Sequence, residues 1–394
     1  MACEVTREDF DWAAALRREL HRHPETDFDL EWTCARVCRA LDELGIPHTE
    51  KFGRCSTAAY LNPGGAGPAL ALRADMDALP VTEKTGLPFS SEIPGKMHAC
   101  GHDAHTALLL GTARALKRCE AALPGPVTLL FQPSEEGVQS GARMMAEAGA
   151  LDGACAVVCT HSDNEIPAGE IRLCPGDFMA GCEPIDAVFR GRSVHAALAA
   201  EKGGGADAIA MGVRAWSALR EAAAQEAAGS RCVYSVGVFS GGTAHNVIAD
   251  RCELKITFRW FDAGLARRIE ARTEAVCAEA AAAYGGTAEV EYHVSAPPVH
   301  NDERLTAACA AALRRAGIEP GSMPSRMSSE DFSWFLARVP GFIFRFGTRN
   351  EAEGCTSLAH TSDFRIDERG MLSAMRAFAA LASDPDFIRA ARGG

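Results

Sequence analysis

The chain has no surplus of positive charge. Its 394 residues carry 40 Lys and Arg against 52 Asp and Glu, a formal net charge of -12. Nucleic acid and anionic membrane surfaces are gripped through basic patches, so neither is an expected partner. No apolar run comes near the roughly 20 residues that a membrane-spanning helix needs. The opening MACEVTREDFDW is acidic and has no apolar stretch of the kind a secretory signal uses, which gives a cytoplasmic expectation. The 15 cysteines follow no repeating spacing, so most of them read as buried, reduced thiols rather than a disulfide framework. There is no internal repeat and no low-complexity spacer.

What is present points to a two-domain α/β protein. The length exceeds that at which one hydrophobic core keeps growing. Residues 9–44 have helical apolar spacing, stopped by Gly45 and Pro47. PALALRAD, PVTLLFQP and ACAVVCTH read as buried strands, with AHTALLLGTARALKRC as a helix between the first two. Strands alternating with helices predict a mainly parallel sheet flanked by helices, with its site beyond the carboxyl ends of the strands. Arg73, Asp75, Gln132, Glu135, Glu136 and His161 fall at those ends. From about Ala180 the order becomes strand, helix, strand, strand, helix, strand, which is the ferredoxin-like arrangement. A first domain of residues 1–180 and 296–394, interrupted by an inserted α+β domain of 181–295, is therefore expected.

The densest chemistry is HACGHDAH, His98 to His105. Cys100 and His102 stand two apart, close enough in a loop to reach one small volume, and thiolate and imidazole are both ligands for zinc-like ions. Asp103 and His105 read as groups behind them, holding His102 in one tautomer. The competing reading is a polar loop around a buried cysteine. A third makes Cys100 a nucleophile with His102 or His105 as base, but no G-x-S-x-G elbow accompanies it. FQPSEEG adds Glu135 and Glu136 after a buried strand. Read alone, the pair is a solvated turn; beside a cation, one carboxylate ligates while the other takes a proton from water. His161 and His360 are single histidines near strand ends or loops, and either alone reads as structural. Together the segments offer Cys, His, Glu, His and His, enough for two metals and too many for one tetrahedral site.

LHRHPE, LRADMDALPVTE, MHACGHDAHTALLLG, LLFQPSEEG, GGTAHNVIAD, MSSEDFSWF and LAHTSDF follow one another nearly end to end. In these motifs the chain resembles the dinuclear metal-dependent amidohydrolases of the aminoacylase and carboxypeptidase superfamily, in the branch of hippurate hydrolases and indole-acetyl-amino-acid hydrolases. The resemblance implies Cys100, His102, Glu136, His161 and His360 as ligands of two divalent ions, with Cys100 between them. The ions would be zinc or manganese, with cobalt and nickel also suited. It implies Glu135 as general base, and His195 of an inserted lid domain as the group that steadies the oxyanion in a second subunit's site. Asn246 and Arg259 would hold the substrate's carboxylate or oxyanion. A homodimer through the lid and a small-molecule amide substrate follow from the same likeness, as does hydrolysis of N-acyl amino acids; a dipeptidase or carboxypeptidase with the same site is the nearest alternative.

Three departures stand out. After HAA the family continues with a variable residue and Pro-His, where this chain has Ala199 and Ala200. Trp260 replaces a small residue common at that place. After His161 the family has an apolar residue and a proline nearby, whereas this chain runs SDNEIPAGE, which reads as a polar, acidic approach to the metals suited to a cationic or polar group.

Overall fold

The computed structural model describes residues 3–293 and 296–393. The chain forms two compact units, one of Met1–Phe178, Val299–Ser325 and Asp331–Gly394, the other of Met179–Pro298 and Arg326–Glu330. The short return of Arg326–Glu330 to the second unit was not visible in the sequence. It follows from Ala180 N, which donates to the carbonyls of Arg326 (3.2 Å) and Ser328 (2.9 Å).

Among the described residues the strands run β1 (His48–Thr49), β2 (Thr57–Leu61), β3 (Ala69–Asp75), β4 (Val127–Gln132), β5 (Ala154–Pro167), β6 (Ile171–Leu173), β7 (Gly176–Met179), β8 (Gly181–Arg190), β9 (Cys232–Gly241), β10 (Arg251–Trp260), β11 (Thr287–Tyr292), β12 (Val299–Asn301), β13 (Gly321–Ser322) and β14 (Gly341–Arg349). The first unit is built on an eight-stranded sheet in the order β1-β2-β4-β3-β5-β14-β6-β13. β3 runs parallel to β4 and β5, and β14 parallel to β5, while β2 runs antiparallel to β1 and β4, and β6 antiparallel to β14 but parallel to β13. The central strands are buried along almost their whole length, as strands covered on both faces must be. Arg7–Arg22, His102–Arg118 and Arg369–Ser383 pack as neighbouring helices of this unit. A Cβ at Gly111 would lie 2.8 Å from Ala13 Cβ and 2.6 Å from Met375 Cε, so only glycine lets these three helices approach.

One expectation needs correcting, and one that holds for most cysteines has an exception. The helical segment expected over 9–44 is two helices, Arg7–Arg22 and Glu31–Glu43. Pro24 has no N–H to continue the first, and Glu25 accepts from Thr33 N (2.8 Å) and Trp32 N (3.2 Å) to start the second. Thirteen cysteines are free, but Cys3 and Cys119 are joined as a disulfide (Cα–Cα 6.1 Å). The N-terminal segment lies against the C-terminal end of His102–Arg118, a proximity that cysteine spacing along the chain cannot reveal.

The second unit has the expected order: β8, the helix Ala208–Glu226, β9, β10, the helix Ala263–Ala282 and β11. Its antiparallel sheet runs β11-β8-β10-β9, the ferredoxin-like topology. Val294 and Ser295, at the end of the expected last strand, lie outside the described residues. Alternate residues Ile185, Ala187 and Phe189 of β8 and Leu254, Ile256 and Phe258 of β10 point to one core shared with Met211, Leu219 and Ile269 of the helices. Glu183, on β8, is an exception. It is 2% exposed, and burial together with the nearby Glu270 carboxylate pushes its pKa up to about 7. The folded state therefore keeps a proton that the unfolded state releases near pH 4.5, so stability falls as pH rises from there to 7. Glu183→Gln should remove roughly 2 kcal/mol of that fall. Denaturant melts at pH 5 and pH 8 test it: an equal difference between variant and wild type at both pH values contradicts the raised pKa.

No helix among the described residues is long and apolar enough to cross a membrane.

Candidate metal centre

The site is assembled where the parallel strands of the first unit end. β3 delivers Asp75, with Asp77 just beyond; β4 delivers Gln132, with Glu135 and Glu136 in the turn that follows; β5 carries His161. Cys100 and His102 straddle Gly101, whose φ of 90° turns the chain into the helix His102–Arg118. A Cβ there would lie 2.4 Å from Ser162 Oγ, so the turn can be made only by glycine. His360 comes from a loop late in the chain and itself has φ 69°.

These side chains converge. Donor atoms of Cys100, His102 and His161 all lie within 4.8 Å of one another, and so do those of Cys100, Glu136 and His360. Cys100 belongs to both groups. Its Sγ is 3.4 Å from His161 Nε2, and His360 Nε2 is 3.0 Å from Glu136 Oε1. Glu135 forms a third group with His102 and Glu136, its Oε2 3.9 Å from His102 Nε2. His161 Nδ1 donates to the carbonyl of Ser162 (2.8 Å), which leaves the Nε2 lone pair facing Cys100.

The electrostatics call for positive charge here. Burial works against charge on His102, but Asp75 and Cys100 outweigh it and hold the imidazole well above its usual range. Hydrogen bonds to Cys100 and Glu136 raise His360 to about 10. His161, by contrast, is held well below its usual range by burial and by Arg345, so it is a neutral donor. His102 Nε2 is buried without a hydrogen-bond partner and faces carboxylate oxygens of Asp75, Glu135 and Glu136 at 3.8–4.0 Å. A cation among these donors supplies the charge that protons otherwise provide. Thiolate, imidazole and carboxylate donors in this mixture fit zinc or manganese, and also cobalt or nickel.

The residues behind the donors differ from the sequence reading. Asp103 does not hold His102. It pairs with Arg17 Nε (2.7 Å) and His21 Nδ1 (2.8 Å) in a fully buried cluster, because its place on the first turn of the helix faces Arg7–Arg22. Although burial opposes ionisation, Arg17 and His21 hold its carboxyl far below the usual range. His105 does not touch His102's ring nitrogens either. Its Nδ1 donates to Asp75 Oδ1 (2.7 Å) and its Nε2 accepts from Ser162 N (2.9 Å). The partner of His102 Nδ1 is Asp77, at 3.3 Å, which also accepts from Glu136 N (3.0 Å) and so orients two donors at once. Acids two apart at the end of a buried strand, as in RADMD, were the available signal for it. Asp75 is held in turn by Arg73 (2.7 Å), a buried guanidinium that also binds Gln132 and Asp331. His98 is structural: burial pushes its pKa down to about 3.

The segment after His161 is largely buried, with Glu165 its first exposed residue. Ser162, Asp163 and Asn164 are all buried, and β5 continues through them to Pro167.

His195, Asn246 and Arg259 lie in the second unit. His195 caps the helix Ala196–Lys202, its Nδ1 accepting from Ala197 N (3.3 Å), so the neutral ring carries its proton on the exposed Nε2. Ala196 N donates to Asn246 O (3.0 Å), which makes His195 and Asn246 neighbours. Arg259 is on β10, with Nη1 donating to Ser329 Oγ (2.6 Å).

Residues 71–384 match Peptidase family M20/M25/M40. The chain is 34% identical over 373 residues to an N-acetylcysteine deacetylase of Bacillus subtilis, covering 93% of this chain and 95% of that protein. It is 34% identical to an IAA-amino acid hydrolase of Arabidopsis thaliana, covering 91% and 82%. Among solved structures it resembles a Bacillus subtilis protein described as a dinuclear metal-binding peptidase of the M20 family, with TM-score 0.83, 32% identity and coverage of 96% and 98%. Together with the paired donor groups around Cys100, these likenesses place the chain in Peptidase family M20/M25/M40, as a metal-dependent amidohydrolase.

Proposed function

We propose that the protein hydrolyses the amide bond of N-acyl amino acids, with Cys100, His102, Glu136, His161 and His360 holding two divalent cations and Glu135 acting as general base. The carrying observation is that Cys100 belongs to two donor groups, while Glu135 lies beside them. When bound there, divalent cations would lower the pKa of a water and polarise the acyl carbonyl. Glu135 accepts a proton from that water as it attacks, then returns one to the departing nitrogen. His195 donates from Nε2 to the oxyanion in a second subunit's site. Arg259 offers the substrate carboxylate a two-pronged contact, with Asn246 beside His195 as a further donor. This division of labour needs a homodimer. β9 is an edge strand whose backbone is open to pairing, and the helix Ala208–Glu226 exposes Val213 and Trp216, apolar surface suited to a second copy.

The test is a panel of N-acyl amino acids against dipeptides on metal-reconstituted protein. N-acyl amino acids should show kcat/KM at least about tenfold higher, the consequence of roughly 1.4 kcal/mol in transition-state binding. A preference for dipeptides makes the protein a dipeptidase instead.

A further inference from the structure

His360 is the donor least held by packing. Its side chain is 54% exposed, and Leu358 beside it is 60% exposed. The backbone there takes a left-handed conformation that a non-glycine residue adopts only when its surroundings impose it. Beside its internal bonds, Ser357 Oγ to Asp363 Oδ2 and Thr361 Oγ1 to Leu358 O, three restraints reach the loop from outside it. His360 N donates to Ala99 O (2.7 Å), Lys84 N donates to Ser362 O (2.7 Å), and the third is Asn164.

Asn164 lies on β5, three residues beyond His161, and is 5% exposed. Its Nδ2 donates to Ser357 O (2.8 Å) and to Arg365 O (2.9 Å). Those carbonyls bracket His360, one on each arm of its loop. Oδ1 accepts from Thr348 Oγ1 (2.6 Å), and Thr348 is fully buried on β14. With both N–H groups and the carbonyl engaged, the amide has one orientation. One strand thus carries a donor of the first group around Cys100 and a clamp on the loop that carries a donor of the second.

We infer that Asn164 is a positioning residue that sets His360 against Cys100 and Glu136, and thereby the affinity of one cation and not the other. The inference rests on His360 being a ligand. It assigns a task to the polar stretch after His161, where the chain departs from the motif it otherwise resembles.

The test titrates metal-free protein with Zn²⁺ against a chromophoric chelator and reads each binding step. Asn164→Leu removes all three hydrogen bonds while keeping the branched skeleton and the number of side-chain heavy atoms. Asn164→Asp keeps the shape and the Thr348 bond but has no N–H to give the two carbonyls, and it carries the test if the leucine variant does not fold. Either variant should weaken one cation by about 10–100-fold, the usual cost of losing a group behind a ligand, and leave the other within about threefold. Two unchanged cations, or two cations weakened alike, overturn the inference. His360→Ala separates this failure from that of the ligand assignment. If His360→Ala loses one cation while the Asn164 variants keep both, only Asn164's role is wrong. If His360→Ala keeps both, the ligand assignment falls and takes this inference with it.

Discussion

Replacing Glu135 by alanine should lower kcat by about 10²–10⁴-fold while both cations remain bound. The carboxylate belongs to a group with His102 and Glu136, and its Oε2 stands 3.9 Å from His102 Nε2. Glu136 is tied in differently: its backbone N–H is held by Asp77 and its Oε1 lies against His360. Two adjacent glutamates thus face one volume with different attachments, which is what separate duties as ligand and as base require. Elemental analysis beside steady-state kinetics decides the point. Retained metal with kcat down at least a hundredfold fits a base; metal lost in proportion to activity would make Glu135 a ligand; full activity with full metal would falsify its role altogether.

Cys100→Ala should have the broadest effect on metal content, because it removes a donor from both groups at once. Occupancy of both cations should drop together, whereas His161→Ala and His360→Ala should each affect mainly one. The cysteine is 7% exposed and fixed between Ala99, whose carbonyl receives His360 N, and Gly101, whose turn starts the helix. Little rearrangement is open to compensate for its loss. Equal metal content in Cys100→Ala and wild type would remove Cys100 from the centre. Chelation separates this site from a thiol hydrolase, in which Cys100 would itself attack: the metal-dependent enzyme loses activity on chelation and regains it with added Zn²⁺ or Mn²⁺.

The candidate donors were named in the sequence through the resemblance of their motifs and because metal chemistry restricts residue types, while β3 and β4 were legible as apolar runs ending abruptly in polar residues. β3 and β4 and the helix after HACG came out nearly as expected for that reason. What lay behind the donors was less legible. Asp103 looked like a partner of His102 by proximity along the chain, but helix geometry turns it toward Arg17 and His21. Asp77, which does the work expected of Asp103, is 25 positions from His102 in sequence. Asn164 is further still from the carbonyls it clamps. Such partners are fixed by the packing of whole strands and helices, and a single sequence carries no period or spacing that marks them. The break at Pro24 was written plainly in the chain, yet the apolar spacing on both sides of it masked it.

The interrupted first unit also bears on how the site comes into being during synthesis. Cys100, His102, Glu136 and His161 all precede the second unit, and His360 follows it. A growing chain therefore presents the Cys100, His102 and His161 donors early, and it lacks the last donor until the inserted unit has been made. β14, the strand that pairs with β5 beside His161, also follows the inserted unit, so the proposed two-cation centre is complete only once the last segment has been made.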